Sequence, residues 1–147
     1  MSEIVELEIP ARIEFVALAR LVVTSAASTQ PTFTDDRIDD LRLAVSEACT
    51  NAIEAHTVAG SDDRVLIRCD LAEDRIEVAV TDRGGGFDPE EVTAAPAAEA
   101  ADRLEFESGL GIPLMRVLVD ETEFRASAAG TVVRLVVVRP VRPGEDA

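Results

Sequence analysis

Lysine is absent from this sequence: all 14 basic residues among its 147 are Arg. A phosphate-binding GxxxxGK[ST] loop is therefore excluded, as are Schiff-base chemistry and Ser–Lys nucleophiles. Trp and Tyr are missing as well, and 29 acidic residues leave a net charge of −15. Such a chain lacks both the basic groove and the stacking rings that nucleic-acid binding uses, and its field repels an anionic membrane surface. The two cysteines, Cys49 and Cys69, have no CxxC spacing. A zinc site is thereby disfavoured, and both read as small buried apolar groups in a reducing compartment. No basic segment leads into an apolar run at the N-terminus, and no stretch reaches the roughly 18 apolar residues of a membrane helix. The expectation is a soluble, cytoplasmic protein without membrane or direct nucleic-acid partners.

What is present is a globular composition, 47% apolar against 29% charged, in a chain of one-domain length. Residues 3–9 alternate, with Val5, Leu7 and Ile9 on one face and Glu6 and Glu8 on the other, and Pro10 closes the run. A helix is expected from Ala11 to about Ala27. Thr34 is placed to N-cap a second helix, with Asp35 and Asp36 in its first turn. Its core stripe is Ile38, Leu41, Val45, Ala48 and Ala52, and Gly60 ends it. Alternating runs at 65–71 and 76–80 form one hairpin through Ala72-Glu73-Asp74, and 122–127 with 131–139 form a second through Ala128–Gly130. Between the hairpins, residues 87–107 carry seven acidic residues against Arg103 alone and read as a loop or marginal helix. A short helix over Gly109–Asp120 follows. The order β-α-α-β-β-α-β-β predicts an α+β two-layer sandwich, a largely antiparallel sheet with helices on one face.

Three polar groupings stand out. Glu47 and Asn51 are four apart on the second helix, with Glu54 continuing the stripe, so a carboxylate neighbours a carboxamide oxygen. That pairing suits a general base beside a hard-cation ligand, although an isolated ExxxN is more often a solvated helix face. Strand parity puts Asp82 on the inner face with Ile76, Val78 and Val80, where a charge needs donors. Gly84 and Gly86 follow it, and they let the backbone lie close to a flat ligand; taken alone, this is also an ordinary Gly-rich turn. Ser108-Gly109-Leu110-Gly111 opens a helix, whose N–H groups suit a phosphate. Thr131 adds a hydroxyl at a strand start.

Taken in order, ExxxN, DxGxG, an acidic loop, GxG and a late Gly-Thr resemble the nucleotide-binding boxes of the GHKL ATPases. The short chain and the segment Ser46–His56 (SEACTNAIEAH) resemble the anti-sigma factor serine/threonine-protein kinases of that superfamily. The resemblance implies a single ATPase and kinase domain over 1–139, an ATP lid at 88–108 and a flexible tail at 140–147. It implies Glu47 as the catalytic base toward a substrate serine and Asn51 as the Mg²⁺ ligand. Asp82 is implied to bind the adenine amino group, assisted by Gly84, Gly86 and Thr131. Ser108, Gly109, Leu110 and Gly111 are implied to wrap the ATP phosphates. Arg20 on the first helix is implied to meet protein partners: a sigma factor, and an STAS-type anti-anti-sigma factor as substrate. A homodimer is implied too.

The chain departs from the family pattern at two positions. Relatives commonly place His four residues after the motif Asn, where Ala55 stands here, with His56 one later; His56 is given no role. Glu107 occupies a place where relatives often carry Arg. A second reading therefore stays open beside the kinase, an anti-sigma module that binds nucleotide with little or no kinase activity. A third is a structural α+β domain.

Overall fold

The structure, a computed structural model, describes residues 2–84 and 111–140. The expected lid at 88–108 and all but the first residue of the expected tail lie outside the described residues.

The opening alternation is strand β1 (Glu3–Ile9), which pairs antiparallel with β2 (Val65–Leu71), Leu7 opposite Ile67. After Pro10 the chain makes a 3-10 turn at Ile13–Phe15 before α1 (Val16–Ala27). The helix starts later than the apolar spacing from Ala11 predicts. Arg12 is extended (φ −135, ψ 137), and its N–H donates to the Pro10 carbonyl at 2.8 Å. A tight turn takes those residues before regular helix can begin.

The longest element among the described residues is α2 (Asp35–Ala59), and its start and stop follow the sequence signals. The Thr34 hydroxyl accepts the Arg37 N–H at 3.3 Å, Asp35 and Asp36 fill the first turn, and Gly60 closes the helix in a left-handed conformation. Then come β3 (Arg75–Asp82), α3 (Gly111–Leu118), β4 (Glu121–Ser127) and β5 (Gly130–Val138). Among the described residues, five strands form one antiparallel sheet in the order β1-β2-β3-β5-β4. The α+β expectation is met.

The whole expected stripe of α2, Ile38, Leu41, Val45, Ala48 and Ala52, is buried against Ile67, Val78, Val80, Leu135 and Val137 from the sheet. Cys49 and Cys69 are part of this core, as free thiols. Burial pushes their pKa values to about 12 and about 11, so neither supplies a thiolate at neutral pH. The helix α2 packs on α1, on α3 and on β3, and so bridges the helical layer to the sheet centre. Arg37 fastens α3 from the other end: it donates to the Leu118 carbonyl at 3.0 Å and to Asp120 at 2.9 Å.

Candidate functional site

The site grows from one face of α2. Glu47, Asn51 and Glu54 are each half-buried, so their stripe flanks the core stripe and borders the packed layer. Glu47, Asn51 and Ala55 follow at intervals of one helical turn and cover about 12 Å along the axis. Asn51 holds the notable atom of this row. Its Oδ1 is buried and has no hydrogen-bond partner among the described residues, a state that costs free energy unless something else is bound. An unpartnered carboxamide oxygen next to a carboxylate-bearing turn is the donor chemistry a hard divalent cation takes, and Mg²⁺ needs only one or two such protein oxygens when phosphates supply others. The residues present therefore fit that ion.

At the Ala55 end of the row, α2 meets the end of β3. Asp82 is 6% exposed, on the same buried face as Ile76, Val78 and Val80, as strand parity predicts. Its Oδ1 accepts the Gly84 N–H at 3.2 Å. Burial raises its pKa above the ordinary carboxylate value, opposed by the Gly84 N–H, the nearby His56 and the Thr131 N–H. Thr131 is the direct cross-strand partner of Asp82 in the β3–β5 register, so two candidates forty-odd positions apart in sequence are brought together.

Gly84 is a close-approach glycine, and what approaches is protein. A Cβ there would lie 2.8 Å from the carbonyl carbon and oxygen of Ala55, on the backbone of α2. Gly130 is tighter still: its φ is +142, and a Cβ would lie 2.0 Å from the Asp82 carbonyl oxygen. Both glycines thus serve the walls that hold Asp82. Gly111 opens α3, which packs beside α2. Gly86, Ser108, Gly109, Leu110 and Glu107 lie outside the described residues. Arg20 is half-buried on α1.

His56, given no functional role from the sequence, is a buried residue of the fold. It is 1% exposed, and its Nε2 accepts the Arg83 N–H at 2.9 Å. The signal was available: His56 stands four residues after Ala52 and three after Ile53, on the apolar stripe and not on the polar one.

Comparison with known proteins identifies the family. The histidine kinase-like ATPase domain family matches residues 9–137. Serine-protein kinase RsbW of Bacillus pumilus is 39% identical over 137 residues, 88% of this chain and 83% of the relative. RsbW of Bacillus subtilis is 36% identical over 89% of this chain and 83% of its own, and that of Listeria monocytogenes serotype 4a is 32% identical over 100% and 95%. Among solved structures, a Mycobacterium tuberculosis protein comprising RsbU and RsbW domains shares the fold, with TM-score 0.69 at 21% identity over 95% of this chain and 34% of that one. A buried acceptor at a strand end, a polar row on the adjoining helix and these relatives together place the chain in the RsbW serine-protein kinase family of histidine kinase-like ATPase domains.

Proposed function

We propose that this protein binds Mg-ATP in the angle between α2, the end of β3 and the start of α3, and transfers the γ-phosphoryl group to a serine of an anti-anti-sigma factor. The same molecule sequesters a sigma factor when that antagonist is absent. The observation that carries the reading is the line along α2: Glu47, then the unpartnered Asn51 oxygen, then the turn holding buried Asp82.

That line has the polarity of the nucleotide. Asp82 accepts from the adenine amino group at one end, and Thr131 supports it across the strand pair. One turn back along α2, the Asn51 oxygen would hold Mg²⁺, which would supply neutralisation of the phosphate charge there. Glu47, a further turn back, orients the substrate hydroxyl and accepts its proton as the new serine Oγ–P bond forms and the bond from phosphorus to ADP breaks. Backbone N–H groups at Ser108–Gly111 complete the phosphate contacts, which suits a chain with no Lys to offer. Arg20, on α1, and the neighbouring exposed Leu18 and Leu21 belong in this reading to partner contacts.

The test is phosphoryl transfer from γ-labelled ATP to the cognate antagonist. Wild type labels the antagonist, and Glu47→Gln transfers at least about 100-fold more slowly while still binding ATP. Equal labelling by the two proteins would overturn the assigned base. The Glu107 departure favours a second reading, a nucleotide-binding anti-sigma module: there ATP binds and the sigma factor is captured, with no label on the antagonist even for wild type.

A further inference from the structure

We propose that His56 is a positioning residue for recognition of the nucleotide base: it locks the turn carrying Asp82 and Gly84 onto α2. The inference rests on the reading of Asp82 as the acceptor for the adenine amino group.

The constraint runs through backbone atoms. The Arg83 N–H donates to His56 Nε2 at 2.9 Å, and the Arg83 carbonyl accepts the Ser61 hydroxyl at 3.1 Å. Ser61 is fixed in turn, because its own N–H donates to the His56 carbonyl at 2.9 Å. Both polar groups of the residue after Asp82 are thus held by the C-terminal end of α2. The following residue, Gly84, lies against the Ala55 backbone with no room for a side chain, and its N–H donates to Asp82 Oδ1 at 3.2 Å. From α2 to the carboxylate there is no slack: His56 fixes Arg83, Arg83 leads into Gly84, and Gly84 orients Asp82.

Packing alone does not account for an imidazole here. The residue is 1% exposed, and Nδ1 is buried without a partner among the described residues. The bond accepted by Nε2 assigns the ring proton to Nδ1, so a donor is left unsatisfied, a cost an aliphatic side chain of similar size would not incur. What the imidazole gains is a partner for the Arg83 N–H, which has no other among the described residues. The exposed guanidinium of Arg83 is not needed; the residue is held by its main chain.

The probe is a nucleotide pair: ATP and purine riboside triphosphate, which lacks the exocyclic amino group. Equilibrium binding to the full chain with Mg²⁺ is expected to favour ATP by about tenfold or more, the worth of a hydrogen bond to a charged acceptor. In His56→Leu that preference falls at least about fivefold, mainly through weaker ATP binding. His56→Gln, whose amide oxygen reaches the same N–H, retains it. Should His56→Leu fail to fold, His56→Asn, whose shorter amide stops short of Arg83, carries the same expectation. A folded His56→Leu that keeps the wild-type preference, or loses affinity equally for both nucleotides, overturns the positioning role. If Asp82→Asn abolishes the preference in that same experiment, the failure is that of His56 alone. If wild type shows no preference, the reading of Asp82 falls and this inference falls with it.

Discussion

At the scale of single residues, Asp82 is where stability and binding pull apart. Its carboxyl is raised by burial, which means that the folded state holds its proton more tightly than the unfolded chain does. The stability linked to such a group is full below the unfolded-state pKa and is lost as pH rises through the folded one. At neutral pH the ionised carboxylate therefore weighs against folding. Asp82→Asn keeps an oxygen for the Gly84 N–H and removes the charge. It is expected to raise the melting temperature of the nucleotide-free protein at pH 7, with the gain vanishing at acid pH, and to weaken ATP binding about tenfold or more. A melting temperature unchanged or lowered at pH 7 would contradict this account. The burial of Asp82 was legible in sequence, because the parity of a strand passes from Ile76 through Val80 without interruption. The place of His56 was not: its helix face was readable, but its partner is a main-chain N–H on another element, and no side-chain pattern marks that.

At the scale of elements, the site depends on how closely backbones meet. Gly84 stands 2.8 Å, by a would-be Cβ, from α2, and Gly130 stands 2.0 Å from the Asp82 carbonyl with a φ that side chains avoid. Gly84→Ala is expected to cost about 1–3 kcal/mol, since the helix and strand end must separate. Gly130→Ala is expected to cost more, because strain adds to the clash. Urea unfolding gives both values; a Gly84→Ala penalty equal to or larger than that of Gly130→Ala would refute the ranking. Elements with a long period were legible: α2 from its cap and stripe, the hairpins from alternation. The start of α1 was not, because the turn after Pro10 is settled by main-chain hydrogen bonding that apolar spacing does not encode. Sequence could supply glycines to the Asp82 turn and suggest a flat ligand as the reason; only the packed layers reveal that α2 itself occupies the space next to Gly84.

At the scale of the molecule, a net charge of −15 meets a polyanionic ligand. Among the described residues no group of three or more His, Cys, Asp or Glu side chains is arranged to hold a metal, and no helix is long and apolar enough to cross a membrane. If the protein offers the ion only the proposed Asn51 oxygen, the ion and the nucleotide are expected to bind together. Mg²⁺ alone should leave the melting temperature unchanged, while Mg-ATP at 100–1,000 times its Kd should add about 3–4 kcal/mol of stability. EDTA should remove that gain, and ATP affinity indifferent to EDTA would count against the Asn51 assignment. The sheet order adds one more consequence. The β2–β3 and β4–β5 hairpins join near neighbours in the chain, whereas β3 and β5, which bring Asp82 to Thr131, join segments far apart and close a large loop. Contacts of that kind form late in folding. Asp82 gains the Thr131 donor only when this pair closes, so on the proposed reading a partly folded chain has no base pocket to offer. Nucleotide capture thereby becomes a test that only the finished molecule passes, and refolding followed by ATP binding should lag behind the recovery of helix.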